Sequence, residues 1–385
     1  MILATPMMLQ RITLTALLLA ITGNAFAGVL PEDRADVLYH LYDGGGVEID
    51  GPSILIRKQV GKSVSVVGNY YVDMVTSASI DVVTTASPYT EERKQWSLGL
   101  DYLRGNTTMR VNYTSSEESD YDAETVGFSV SQDMFGDLTT LTFGYALGND
   151  LVRRSDDVLF ERDLDKQMYS VGVTQILTKN LISTLNFETI TEEGFLNNPY
   201  RSVRYADSSS ALGYSFEPEL YPNTRTSNAV GIRARYYLPY RAALEGEYRY
   251  FIDTWDIEGH TGSLSYTHPW NDFTFTGKFR YHTQTGAHFY RDLFSGPQAT
   301  NFRGRDKELS PLTSYTFKLK AAYEFLNDDG NDWGFLKRGS VSASVDLLHI
   351  DYDDFSDLRA LAPIGSEPLY QLDATIYQVF VSFWY

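Results

Sequence analysis

Strict alternation of apolar and polar side chains, repeated along most of the chain, is the feature that most limits what this sequence can fold into. In the segment 272–284, Phe273 and Phe279 belong to an apolar row, whereas Lys278 and Arg280 belong to a charged row. Successive side chains of a β-strand point to opposite faces, so the pattern predicts strands with one apolar face and one polar face. The same pattern recurs at 227–238, 241–252, 314–325 and 377–385. It predicts an all-β protein with lipid on one face and water on the other.

The N-terminus has the organisation of a secretory signal peptide. Arg11 supplies the positive charge, residues 12–21 form a short apolar run, and Ala25-Phe26-Ala27 is typical of a cleavage site. We therefore divide the chain into a signal peptide, residues 1–27, and one domain, residues 28–385. No apolar run of 18 residues follows, which argues against a helical membrane protein.

The lengths of the connections predict how the strands are joined. Short turns, for example at 60–62 and 178–180, alternate with longer connections at 75–93, 115–122, 149–163, 194–224, 286–308 and 354–370. We predict a transmembrane antiparallel up-and-down barrel with short periplasmic turns and long extracellular loops, in a Gram-negative outer membrane. Fifteen strands are counted from residue 52 onward, and a periplasmic N-terminus requires a sixteenth strand at Val37–Tyr42. Fourteen strands is the alternative count.

The last strand ends on an aromatic residue, Tyr385. A final amphipathic strand with this ending is typical of proteins that the outer-membrane assembly machinery inserts. The expected partners are therefore that machinery and outer-membrane lipid. The sequence has 28 Tyr and only 5 Trp, and tyrosine suits an interfacial belt because one end of its ring is apolar and the other is polar.

The alternation assigns a group of basic side chains to the inside of the barrel. Glu245, Glu247 and Glu324 are the only acids on the same faces of the five strands between 227 and 325. A positive lumen wall would favour anions. The alternative is a ladder of cross-strand ion pairs in a small or collapsed lumen. The basic residues assigned to this wall are Arg233, Arg235, Arg249, Lys278, Arg280, Lys318 and Lys320.

Composition excludes several other classes of function. A formal charge of −18 disfavours binding to nucleic acid, and the absence of cysteine excludes thiol catalysis. No catalytic motif is found, so we expect no enzyme activity. We expect no resident metal; the weak candidates for ligands are His282, His288, Asp253 and Asp292. Acidic segments such as 117–120 and 351–354 fit either calcium ligands or solvated loops.

Several loop motifs together resemble a family of predicted proteobacterial outer-membrane proteins that is catalogued only as a domain of unknown function. The resemblance covers essentially the whole domain and implies the barrel and its location. Genes of that family often lie beside genes for a small lipoprotein, a thioredoxin-like protein and a periplasmic FMN transferase. This gene neighbourhood implies a role in redox reactions of the cell envelope. The motifs are Glu32-Asp33-Arg34, the segments 71–73 and 87–93, GFLNNPYRSVRY at 194–205, YPNTR at 221–225, Asp253-Thr254-Trp255, FYRDLF at 289–294 and RDKELS at 305–310.

That genetic context draws attention to a short repeat, D-x-x-T-[ST]-A-S, at 73–79 and 81–87. It is similar to the acceptor motif of FMN transferases, in which a small hydroxyl attacks the FMN phosphate anhydride. By this similarity Ser79 and Ser87 would be the acceptors. The usual glycine is replaced by Ser77 or Thr85, and Ser stands where Thr is commoner. The alternative is a strand or loop whose composition repeats by chance, and no cofactor is then expected.

Three functions remain open from the sequence. The first is a channel or solute-specific porin for small anions with a partly basic lumen. The second is a barrel scaffold associated with envelope redox chemistry, carrying FMN or docking a periplasmic redox partner. The third is a structural barrel without transport activity. The long connection at 194–224 is predicted to form a constriction loop or a lid.

Overall fold

The computed structural model describes residues 29–77, 89–325, 334–360 and 362–385. These residues form eighteen strands and two short 3₁₀ helices at Lys307–Leu309 and Leu358–Ala360. No helix in these ranges has the length and apolar composition needed to cross a membrane. The strands are β1 Arg34–Gly44, β2 Val47–Val60, β3 Val64–Ser77, β4 Tyr89–Arg104, β5 Thr107–Glu117, β6 Tyr121–Met134, β7 Thr139–Arg154, β8 Asp157–Thr178, β9 Leu181–Gly194, β10 Ser202–Ala206, β11 Tyr214–Pro218, β12 Thr224–Tyr237, β13 Ala243–Asp253, β14 Glu258–Trp270, β15 Phe273–Gln284, β16 Leu312–Phe325, β17 Arg338–Ser356 and β18 Leu369–Trp384.

Sixteen of the strands form one closed antiparallel barrel of the outer-membrane type. Each strand pairs with its neighbours in the chain, except that β9 pairs with β12 because β10 and β11 form a separate hairpin. The barrel closes where β1 meets β18, with Arg34 opposite Trp384 and Gly44 opposite Ala374. The predicted fold class and the count of sixteen strands are confirmed, including the first strand around Val37.

The two ends of the barrel differ in how the strands are connected. At one end, which we call the turn end, β2–β3, β4–β5 and β8–β9 are joined by turns of two or three residues. At the other end, the loop end, residues 195–223 join β9 to β12 and residues 285–311 join β15 to β16. Two connections predicted to be long are short, because β5 and β6 are separated only by 118–120, and β7 and β8 only by 155–156.

Side chains on the barrel wall alternate as the sequence predicts. Along β4, Leu98 and Leu100 are exposed on the outer face, whereas Asp101 points inward and is fully buried. On β15, Phe273 and Phe279 are exposed outward, and Lys278 and Arg280 point inward. The outer surface is therefore apolar and the inner surface polar, as a closed sheet in lipid requires.

Candidate functional site in the lumen and its lid

The seven basic residues of the predicted lumen wall lie on the inner face of β12 to β16. The register places Arg233 opposite Glu247 and Arg235 opposite Glu245. The corresponding ion pairs measure 3.1 Å between Arg233 Nη2 and Glu247 Oε1, and 2.6 Å between Arg235 Nη2 and Glu245 Oε2. This part of the wall follows the ion-pair alternative more closely than the positive-wall prediction.

Acids from strands outside 227–325 neutralise further members of this group. Lys318 Nζ lies 3.0 Å from Asp346 Oδ1 on β17, and Arg249 Nη2 lies 3.6 Å from Glu188 Oε1 on β9. Lys278 Nζ lies 3.8 Å from Glu247 Oε2. The acids of β9 and β17 stand outside the five strands between 227 and 325, and only the closed barrel brings them to this wall.

Of the seven basic residues of the predicted wall, Arg280 on β15 and Lys320 on β16 form no ion pair with a described residue. Their cross-strand neighbours are small and neutral. Arg280 lies between Ser263 and Thr316, and Lys320 lies opposite Ser344. The positive character of the wall is therefore concentrated at these two positions.

The opposite side of the lumen is lined by small residues. On the inner face of β5 to β8 the register aligns Thr114 with Thr125 and Gly148, and Ser129 with Gly144 and Ser170. The two basic residues without an ion pair thus face a wall that is rich in small residues, in which Arg110 lies opposite Ser129 and Lys166 lies opposite Gly148.

At the loop end, the segments 195–223 and 285–311 are joined to one another, and together we call them the lid. The segments exchange backbone hydrogen bonds as two strands do: Leu220 N–H donates to Arg303 O over 2.9 Å, and Arg303 N–H donates back over 2.7 Å. A further bond runs from Ala206 N–H to Phe294 O over 2.9 Å. The segment predicted to form a lid is therefore one half of it, and 285–311 is the other half.

An aromatic cluster forms the apolar core beneath the lid. Trp255 is 1% exposed and packs against Tyr221 and Phe289, with ring centroids 5.6 and 5.2 Å away. The Trp255 indole N–H donates to Thr224 O over 3.1 Å. Leu164, Leu196, Ile257, Ala287, Tyr290 and Leu309 complete this cluster. Burial of several large rings makes the lid a packed structure.

Buried arginines hold the lid together electrostatically. Arg204, 1% exposed, pairs with Asp292, and its Nη1 lies 2.5 Å from Glu367 Oε1. Arg305 Nη2 lies 2.8 Å from Asp292 Oδ1. Burial alone would raise the pKa of Asp292, but Arg305 and Arg204 outweigh it and hold that pKa below its usual value. Asp292 therefore stays ionised between two arginines.

The lid is fastened to opposite sides of the barrel. On one side, Ser155 N–H, between β7 and β8, donates to the Tyr200 hydroxyl over 2.8 Å. On the other side, Tyr290 O–H donates to Asp354 O on β17, and Arg204 reaches Glu367 beside β18. In the ring of sixteen strands, β7 and β17 lie eight positions apart. The lid therefore crosses the mouth of the lumen.

A comparison with protein families decides the classification of this barrel. Residues 76–335 match the family described as "Protein of unknown function (DUF3570)". The chain belongs to this family. No curated protein matches the sequence significantly.

Solved structures similar to this DUF3570 protein include several outer-membrane proteins. A bacterial polysaccharide outer-membrane secretin is 8% identical with a TM-score of 0.47, and the alignment covers 92% of this chain and 100% of that one. The siderophore receptor PirA from Pseudomonas aeruginosa is 11% identical with a TM-score of 0.43, over 93% and 81% of the two chains. OmpT of Vibrio cholerae is 9% identical with a TM-score of 0.44, over 93% and 100%. These likenesses concern the fold alone.

The four weak metal-ligand candidates are engaged separately in this DUF3570 protein. Asp253 pairs with Arg225 and accepts backbone N–H groups of Trp255 and Ile257 over 2.9 and 3.0 Å. Asp292 is held by the lid arginines, His282 Nδ1 lies 2.8 Å from Thr261 Oγ1, and His288 Nδ1 lies 3.1 Å from Trp255 O. Among the described residues the carboxylates and imidazoles that do converge are Glu91, Glu118 and Asp120.

The proposed flavin acceptors Ser79 and Ser87, like the signal peptide 1–27, lie outside the residues that the structure describes. Flavin attachment therefore stays a prediction from the repeat.

The ion pairs of the lid were not predicted from the sequence, although the arginines and Asp292 that form them stand in the motifs YRSVRY at 200–205, FYRDLF at 289–294 and RDKELS at 305–310. The signal was an arginine and an acid in each of two long loops rich in aromatic residues.

Proposed function

We propose that this protein is a solute-selective channel of the Gram-negative outer membrane that favours small anions and whose outer mouth is narrowed by the lid. The observation that carries the proposal is the pair of basic residues without an ion pair, Arg280 and Lys320, which face a wall rich in small residues inside a closed barrel of sixteen strands. Barrels of this size are wide enough for an aqueous lumen, and lumen charges set ion preference.

The wall itself supports an outer-membrane location. Its outward face is apolar with many exposed aromatic side chains, as contact with lipid requires. In outer-membrane barrels the short turns face the periplasm, so the turn end of this barrel would face the periplasm and the lid would face the outside of the cell. Fractionation of cells should recover the protein with outer-membrane markers, and recovery with the inner membrane would contradict the location.

The test of selectivity is the reversal potential of single channels in planar bilayers under a KCl gradient. Wild-type protein is expected to favour chloride. In the double variant R280Q/K320Q the anion preference should fall about fivefold, because charges a few ångströms apart interact by about 1 kcal/mol in water.

The matched control is the double variant K62Q/R104Q, which removes two positive charges from exposed turn-end positions. Its reversal potential should stay close to that of the wild type. Equal selectivity of wild type and R280Q/K320Q would contradict the assignment of the basic pair. A wild-type protein that conducts under no voltage would contradict the channel and favour a structural barrel.

A further inference from the structure

Three carboxylates converge at the loop end, on the part of the rim where β4, β5 and β6 meet. Glu91 lies on the inner face of β4, and Glu118 and Asp120 belong to the three-residue connection between β5 and β6. One carboxylate oxygen from each of the three lies within 4.8 Å of the others. From the sequence, the acidic segment 117–120 fitted either calcium ligands or a solvated loop. The fold adds Glu91, which lies 27 residues before Glu118 in the chain.

Asp120 is the buried member of this cluster, Glu91 and Glu118 are partly buried, and three carboxylates face a single nearby cation. Asp120 is 3% exposed, and its Oδ1 has no hydrogen-bond partner in the described part of the chain. The nearby cation is Arg93, whose Nη2 is committed to Asp73 Oδ2 at 2.7 Å. A buried carboxylate oxygen without a donor is costly, so the cluster requires either protons or a cation.

The three carboxylates lie close enough to repel one another when ionised, and a divalent cation removes this repulsion by binding between them.

We propose that Glu91, Glu118 and Asp120 form a binding site for a divalent cation of the calcium type. Calcium binds oxygen ligands at about 2.3–2.6 Å, so two oxygens on one ion lie at most about 5 Å apart, as the three carboxylates do here. Magnesium keeps a smaller, stricter octahedral shell and gives up water reluctantly, which fits a flexible rim less well. The remaining ligand positions would be filled by water.

The site also touches the lid. The Tyr200 hydroxyl, which accepts the backbone N–H of Ser155, donates a hydrogen bond to the Asp120 carboxylate. Protonation or loss of charge at Asp120 weakens this bond, whereas a bound cation keeps Asp120 ionised. Cation binding is thus expected to strengthen one of the two anchors of the lid. Cation binding at this site does not require that the barrel conduct ions.

The binding test uses isothermal titration of Ca²⁺ into the full chain, folded in detergent and freed of lipopolysaccharide and chelator. We expect one site per chain with a Kd on the order of 10⁻⁴ to 10⁻³ M, typical of extracellular calcium sites, and at least tenfold weaker binding of Mg²⁺. The variants E118Q and D120N should each weaken Ca²⁺ binding at least tenfold.

The matched control is E117Q, which removes the adjacent but exposed carboxylate and should leave binding unchanged. Heat-modifiable gel mobility checks that every variant is folded, and E91Q provides an independent ligand variant on a different strand. Absence of saturable binding, equal binding by wild type and E118Q, or equal affinity for Mg²⁺ would overturn the proposal. As a second readout, Ca²⁺ should slow protease cleavage within 195–223 in the wild type and in E117Q, but not in D120N.

Discussion

Replacement of Arg204 by alanine is expected to release the lid while the barrel stays folded. Arg204 is buried and pairs with Asp292 and Glu367, so the variant leaves Glu367 without its arginine and Asp292 with only Arg305. Removal of one partner from a buried ion pair typically costs about 3–5 kcal/mol. The open fraction of the lid should rise by roughly two to three orders of magnitude. Limited proteolysis of the folded protein should show much faster cleavage within 195–223.

The control for this experiment is R359A. Arg359 is half-exposed and pairs at 2.6 Å with Asp357, which is only two residues away, so its loss should cost little. Bilayer recordings of R204A should show a larger conductance than those of the wild type if the lid narrows a channel. A cleavage rate for R204A equal to that of R359A would show that the arginine does not hold the lid.

A second large effect is expected at the turn end, where Asp101 is fully buried between Arg57 and Arg110. Arg57 Nη1 donates to Asp101 Oδ2 over 2.7 Å, and Arg110 Nε donates to Oδ1. The variant D101N keeps the shape but leaves two guanidinium groups facing one another without a carboxylate. We expect a loss of about 3–5 kcal/mol in the free energy of unfolding, measured by urea titration in detergent.

The matched variant D122N removes an acid from a more exposed pair, in which Arg153 Nη1 lies 2.6 Å from Asp122 Oδ2. That change should cost less than about 1 kcal/mol. Similar unfolding midpoints for D101N and D122N would mean that the buried pair at the turn end contributes little to the stability of the barrel wall.

The barrel could be predicted from the sequence because lipid and water impose one repeating pattern on each strand. The apolar and charged rows around Phe273 and Lys278 are visible without a structure, and the parity of the strands was enough to require β1. The extension of β7 and β8 beyond the apolar pattern was not predictable in this way. Near their connection at 155–156 the charged residues Arg153, Asp157 and Glu161 interrupt the alternation of hydrophobicity.

The site was harder to predict because its members come from distant parts of the chain. Arg204 and Asp292 are 88 residues apart, and no local spacing indicates that they meet. The charge of the lumen wall was overestimated for the same reason, since Glu188 and Asp346 reach it from strands on either side of the five that were compared. Arg280 and Lys320 remain as the part of the predicted basic wall that forms no ion pair among the described residues.

The seam between the first and last barrel strands has a consequence for how the molecule forms. Its hydrogen bonds join residues almost a whole chain apart, for example Ser382 Oγ with Asp36 Oδ1, 346 positions away. Until β18 is in place, the sheet keeps two unpaired edges that can pair with other chains. Such distant contacts are made slowly. If the chain is released before β1 and β18 have paired, the two open edges should therefore lead to aggregation rather than to a partly closed barrel.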